Sequence, residues 1–299
     1  MAPPGVADEI TPNERFYIVS KNLVDPRVQA ENWSLEVFGL VKEPRSFSYQ
    51  EVLALPSTSA YITLECISNP LGGKLMSNAL WTGVPLAHLL GLVGVHVDAR
   101  AVVFRSADNY YESFPLEVAL APTTLLAHAM NGVPLTEKHG FPLRVVLPGR
   151  YGMKQPKWVT KIELTADPID GYWVRRGWDR EAFPQTVARI DTPLNDATLA
   201  GPRVPVGGVA FAGTRSISRV EVSTDGGATW RPAQTRPPLA PATWVQWGLT
   251  WEDAAPGTYL ALARATDGEG ALQPAEEAGS FPRGATGYHH ARITVQERS

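Results

Sequence analysis

The chain has 299 residues, 44% hydrophobic and 19% charged, with a formal net charge of −3. That is the balance of a soluble globular protein long enough for two cores, and it supplies no basic surface for nucleic acid. A single cysteine excludes an intrachain disulfide, six scattered histidines argue against a His-rich zinc site, and no run of about 18 apolar residues is present to span a membrane.

The opening MAPPGVADEITPNERFY lacks the charged-then-apolar pattern of a secretory signal. The compartment stays open: periplasmic or extracytoplasmic if a signal or anchor has been trimmed, otherwise cytoplasmic. From about residue 14 to 185, strands mix with short helices. SFSYQEVLAL (46–55) reads as helical at its end, and VPLAHLLGLVGV (84–95) as a short helix running into a turn. YITLECI (61–67), VVFRS (102–106) and LRVVL (143–147) are short apolar runs rich in strand formers. Pro and Gly punctuate the connections, as in an irregular α+β domain.

After about Thr186 the character changes. The stretch from Asp191 to Gly213 is rich in Pro, Gly and small residues and reads as the entry to a second domain. SISRVEVSTDGG, TWVQWGLTW and TYLALARATDG then alternate with period two, with Asp225-Gly226-Gly227 and Asp267-Gly268 as turns. Short alternating strands with almost no helix predict an immunoglobulin-like sandwich. The expected division is therefore an α+β domain over 1–186 and a β-sandwich over 187–299.

Two features carry chemistry. Cys66 stands where an apolar strand gives way to the glycine-bearing loop SNPLGGK. Taken alone it fits a buried structural thiol, a nucleophile with a histidine partner elsewhere, or a ligand to a soft metal whose other ligands come from a cofactor. The second feature, HGFPLRVVLPGRYGMKQPKW, sets His139, Arg144, Arg150, Lys154 and Lys157 around one apolar strand and the Gly-Pro loop after it. Arg and Lys beside the amides of such a loop make an anion site, unless they form a merely solvated basic loop.

TLECISN, WTGVPL and LLAHAMNGVPLTEKHGFPLRVVLPGRYGMKQPKW, in this order and spacing, resemble the molybdopterin domain of the sulfite oxidase family over about residues 13 to 185. The β domain resembles that family's dimerisation domain. The resemblance implies a molybdenum and molybdopterin cofactor with Cys66 as the metal's protein ligand. It implies that FYIVSKN (16–22), with Phe16, Tyr17, Ser20 and Lys21, wraps the pterin. Asp108, His139 and Arg144 match positions that hold the pterin and its phosphate, Gln155 and Lys157 match further contacts, and neighbouring Lys154 is added to them.

Departures from the family pattern bear on substrate. Val19 and Leu71 stand where sulfite oxidases carry substrate-binding arginines, and Trp178 stands where a tyrosine closes over the substrate. Two missing cations weaken a dianion site, because charge-assisted pairs in a dry site are the strong ones. Arg150, Arg175, Arg176 or Arg283 could restore charge from another direction, and Cys66, Trp178 and Arg176 are the expected catalytic set. The implied reaction is two-electron oxygen-atom transfer, with sulfite or another small oxo compound as substrate. Reduction of an S-oxide or N-oxide is the alternative on the same scaffold. With one cysteine no C-x-x-C-H haem motif exists, so a separate redox partner such as a small cytochrome or a membrane protein is expected, together with a homodimer.

Two rival readings arise in the β domain. Ser223–Trp230 fits the Asp-box of sialidase propellers, but only one copy is present and its physical content is a hairpin. Trp244, Trp247 and Trp251 suit either a core or the surface of a non-catalytic binding module with a degenerate cofactor site.

Overall fold

The structure is a computed structural model and describes residues 2–297. The chain packs as two compact units, one of residues 12–66 and 79–182, the other of residues 2–11, 67–78 and 183–297. The sequence suggests one cut after residue 186. The packing changes at 182/183, and two short segments from the N-terminal half join the C-terminal unit.

In the first unit the strands are β1 (Ser34–Gly39), β2 (Arg45–Ser48), β3 (Thr58–Glu65), β4 (Met76–Pro85, whose first three residues pack with the other unit) and β5 (Ala101–Ser106). They continue with β6 (Tyr111–Pro115), β7 (Leu125–Met130), β8 (Val133–Pro134), β9 (Arg144–Val146) and β10 (Val159–Thr165). One sheet has the order β2-β1-β10-β5-β6, with β1 and β10 parallel. The other runs β3-β4-β7-β8, with β9 also paired to β7. The expected strands at 61–67, 102–106 and 143–147 appear as β3, β5 and β9.

The helices form where the sequence caps them. Helix α1 (Tyr49–Ala54) starts at Ser48, whose hydroxyl accepts from Glu51 N while the Glu51 carboxylate accepts from Ser48 N, closing a capping box. Helix α2 (Leu86–Val93) buries Leu86, Leu89, Leu90 and Val93, a helical stripe, and ends at Gly94 with φ +66°. That stripe joins Leu35, Phe47, Phe104 and Ile162 in the larger core, while Ile62, Leu64, Trp81, Leu125 and Val146 build a second one. Along β3 exposure falls steadily to four buried residues, so the strand runs inward as it nears Cys66.

The C-terminal unit is an immunoglobulin-like sandwich. Its strands are β11 (Val187–Thr192), β12 (Ala197–Ala200), β13 (Val204–Phe211), β14 (Ile217–Ser223), β15 (Arg231–Pro232), β16 (Gln234–Thr235), β17 (Val245–Trp251), β18 (Gly257–Asp267) and β19 (His290–Gln296). They form the sheets β11-β13-β17-β16 and β12-β19-β18-β14-β15.

The stretch from Asp191 to Gly213 lies in the early part of the C-terminal unit and is strand rather than loop over most of its length. It holds the end of β11 and all of β12 and β13. Its glycines serve close strand approach: a Cβ at Gly208 would stand 1.8 Å from the Arg189 carbonyl of the paired strand. The Asp-box segment is the β14–β15 hairpin, with Asp225 accepting from Thr229 N and Ser223 Oγ. Trp244, Trp247 and Trp251 are all buried, Trp247 and Trp251 in the sandwich core and Trp244 against Val209 and Phe211. Among the described residues no helix is long and apolar enough to cross a membrane.

Candidate functional site

Cys66 follows the last residue of β3 and is 8% exposed. The loop after β9 comes to the same strand end: a Cβ at Gly152 would stand 2.8 Å from the Tyr17 hydroxyl and 3.5 Å from the Glu65 carbonyl. Burial of its hydroxyl raises the Tyr17 pKa well above the ordinary phenol value, and the neighbouring Cys66 adds to the rise while Arg144 opposes it. Phe16, Tyr17, Cys66 and the loop around Gly152 therefore converge.

Arg144 opens β9 and is 5% exposed. Its guanidinium donates only to backbone carbonyls, those of His139 at 3.2 Å, Val145 at 3.4 Å and Gln155 at 3.5 Å, and lies 4.9 Å from the Trp81 ring centre. Among the described residues no carboxylate pairs with it. Burial pulls its pKa down to about 10. His139 points Nε2 at the Asn13 carbonyl, 3.1 Å away, and packs edge-on against Phe16. Burial, then the cations Arg144, Lys157 and Lys138, press its pKa to about 4 against the pull of the Asn13 bond, so the ring is neutral. Lys157 donates to the Lys138 carbonyl at 3.0 Å over the Trp158 ring, and burial and Arg144 lower its pKa to about 8.

Gly140 lets these cations come together. Its φ is +104°, and a Cβ there would stand 2.9 Å from Lys157 Cβ and 3.2 Å from Arg144 Cβ. Asp108 and Asp25 draw on Lys157 from the other side. Asp108 accepts from Tyr110 N and Asn22 Nδ2, while Lys21 donates to the Asp108 carbonyl at 2.7 Å. Ser20 donates to Asp25.

Lys154 and Gln155 also have partners within the protein. Lys154 is buried with its ammonium 2.8 Å from Glu112 Oε1, and Glu112 is itself fully buried. Gln155 accepts from Leu147 N at 3.0 Å and donates to the Arg150 carbonyl at 2.9 Å, bracing the loop. Arg176 is exposed and stacks 3.5 Å over the Tyr172 ring centre, with Nη1 on the Tyr172 carbonyl. Trp178 is half-buried in the same turn, its amide on the Trp173 carbonyl. Tyr172 lies 5.6 Å from Tyr110, whose hydroxyl donates to the Met153 carbonyl of the loop. Val19 and Arg175 are exposed in this unit; Leu71 and Arg283 belong to the C-terminal one.

Sequence reasoning passed over Trp81, Gly140, Asn13 and Glu112. Glu112 left a readable signal, an acidic residue inside the strand YESFP that needs a buried counter-charge.

The donor set is one of buried, uncompensated cation beside a thiol. It suits a group that brings anionic charge and a soft metal to be shared with one thiolate. Residues 22–173 match the model of the oxidoreductase molybdopterin binding domain, and residues 184–296 that of the Mo-co oxidoreductase dimerisation domain. The chain belongs to this family of molybdopterin oxidoreductases. The family's cofactor is Mo-molybdopterin, and the residues around Arg144 fit it.

Among similar proteins, the sulfite oxidase of Arabidopsis thaliana is 29% identical over 274 residues, 75% of this chain and 70% of that one. The uncharacterized oxidoreductase YuiH of Bacillus subtilis is 36% identical over 152 residues, 51% of this chain and 75% of that one. Inducible nitrate reductase (NADH) 2 of Glycine max is 29% identical over 279 residues, and the match covers 74% of this chain but only 31% of that protein. In fold, the sulfane dehydrogenase SoxCD of Paracoccus pantotrophus superposes with a TM-score of 0.83 at 22% identity, covering 97% of this chain and 84% of that one.

Proposed function

We infer that this molybdenum-cofactor oxidoreductase catalyses two-electron oxygen-atom transfer on a small oxo compound, with Cys66 as the thiolate ligand. The observation that carries the residue assignment is Arg144, a buried guanidinium bonded to backbone carbonyls, with Tyr17 feeling the charge of both Arg144 and Cys66. A buried cation without a counter-ion is costly, and an anionic cofactor tail offsets that cost. His139, neutral with its one N–H on the Asn13 carbonyl, braces the segment before Phe16 beside these cations. Lys157 adds a second positive charge. Lys21 and Asp108 order Ser20–Asn22 at the pterin's edge, while Phe16 and Tyr17 cover the thiolate and exclude water. When bound, the cofactor supplies the two-electron oxygen-transfer chemistry, and the protein orients it and sets its electrostatics.

Val19 and Leu71 favour a substrate less charged than sulfite, such as an organic S-oxide or N-oxide. The named relatives include both sulfite oxidases and nitrate reductases at similar identity, so either direction of turnover fits the family. Trp178 and Arg176 would shape the substrate side. A homodimer through the C-terminal unit and a separate redox partner complete the reading.

Metal analysis of wild type and Cys66→Ser from a molybdopterin-competent host tests it. About one molybdenum per chain in wild type, with altered metal spectra and lost turnover in the variant, is expected. Wild type without molybdenum, beside a control enzyme that loads, would sink the assignment and leave the binding-module alternative.

A further inference from the structure

The twelve residues from Ile67 to Asn78 group with the C-terminal unit, although Cys66 belongs to the other. Residues 67–78 leave the end of β3, fold onto the C-terminal unit and return at β4. Within that segment the chain makes a tight turn: Gly73 N donates to the Pro70 carbonyl at 2.8 Å, and Leu75 N donates to Asn69 Oδ1 at 2.9 Å. The turn is gripped at consecutive residues. Arg189 on β11, 8% exposed, donates through Nη1 to the Gly73 carbonyl at 3.0 Å while its Nε is held by Asp191 at 2.6 Å. The His289 ring abuts Gly72, close enough that a Cβ there would stand 2.1 Å from both Cδ2 and Nε2. Leu71 in turn reaches toward Gly287, where a Cβ would meet its Cδ2 at 3.2 Å.

The histidine is fixed as well. Ile190 N donates to its Nδ1 at 3.0 Å, which places the proton on Nε2 and sets the ring in one tautomer. Burial, with His290 and Arg189 nearby, keeps it neutral. Gly72 has φ +70°, a conformation glycine takes freely, so the turn and the ring contact both call for a residue without Cβ.

We propose that Arg189 and His289 are positioning residues for Cys66: by clamping Gly72 and Gly73 they fix the chain that leaves it. Nothing in a dimerisation role requires a buried arginine to spend a hydrogen bond on the carbonyl of a glycine loop. The coupling runs through five peptide bonds from Cys66 to Leu71, so a loose turn loosens the backbone that orients the thiolate. The proposal rests on Cys66 being the metal ligand.

The test compares wild type, Arg189→Ala, Arg189→Lys and Gly72→Ala as molybdenum-loaded full-length protein, by amide hydrogen exchange and by the Mo(V) electron paramagnetic resonance signal after dithionite titration. In Arg189→Ala and Gly72→Ala, exchange at Gly73 and Leu75 should rise about tenfold or more, as for a local opening. The Mo(V) signal should shift at unchanged molybdenum content, and Arg189→Lys should return both readouts toward wild type. If Arg189→Ala does not fold, Gly72→Ala, altered from the loop side, decides alone. Wild-type exchange in the folded variants overturns the proposal, and so does faster exchange with an unchanged signal, which would leave the loop uncoupled from the metal. Wild type without molybdenum refutes the ligand role of Cys66 instead, while the exchange comparison still reads the clamp.

Discussion

Arg144 and Trp81 face each other from two strands that each pair with β7, the guanidinium 4.9 Å from the indole ring centre. The indole is itself fixed, its Nε1 donating to the Ile62 carbonyl of β3 at 3.2 Å. One tryptophan thus links the strand that ends at Cys66 to the cation expected to hold the cofactor's tail. The aromatic face lowers the cost of the buried charge without neutralising it, and leaves it available to an anion.

Arg144→Met should fold and lose the cofactor. The variant removes a buried charge that no carboxylate among the described residues balances, so the empty protein should be no less stable than wild type. Loading should fall at least tenfold, because charge-assisted hydrogen bonds are worth about 1.5–3 kcal/mol each. Molybdenum content per chain and the melting temperature of the metal-free protein are the two measurements. Full loading in the variant would remove Arg144 from the site.

Cofactor loading should weaken in alkali through Lys157. Its pKa is pushed down to about 8 by burial first and Arg144 second. Below that value the ammonium is charged and attracts an anion; above it, binding must first take up a proton. Loading should be full below about pH 8 and decline as the pH rises, with Lys157→Arg holding it flat because guanidinium keeps its charge. Equal alkaline decline in the arginine variant would place the titrating group elsewhere.

The fold, the family and its cofactor were legible in the sequence. The apolar run into Cys66, the glycine-bearing loop after it and the basic cluster from His139 to Lys157 carried both chemistry and family. Lys154 shows why the rest was not. From sequence it is one more cation beside the others, and only three-dimensional packing reveals Glu112, 42 positions earlier, as its partner. The strands within Asp191–Gly213 were hidden for a related reason. Glycine reads as flexibility in a sequence, yet Gly208 is there because the Arg189 carbonyl leaves no room for a side chain. Both contacts join distant segments, which local composition does not encode.

Acid should destabilise the protein through His139 and His289. Burial presses both to about 4. An unfolded chain binds the same protons near pH 6.5, so it gains them first as pH falls. Stability contributed by these rings is whole above that value and declines from there toward pH 4. His139→Gln keeps a donor for the Asn13 carbonyl and removes the titration, so its melting temperature should drop less between neutral and mildly acid pH than that of wild type. An identical acid slope would mean His139 titrates normally.

Glu112 and Lys154 should behave as one unit. Glu112 Oε1 accepts both from Lys154 Nζ and from Ser113 N, each at 2.8 Å, and burial raises its pKa in spite of the lysine. Lys154→Met alone strands a carboxylate in the core and should cost about 3–5 kcal/mol. Adding Glu112→Gln keeps the bond from Ser113 N and removes the stranded charge, so the double variant should recover most of that loss in urea unfolding. Additive single effects would show that the pair is not energetically coupled. Molybdenum content of the double variant separates two roles for Lys154. If the lysine serves Glu112, the refolded loop still presents Lys157 and Arg144, and loading survives. If it touches the cofactor, stability returns but the metal does not.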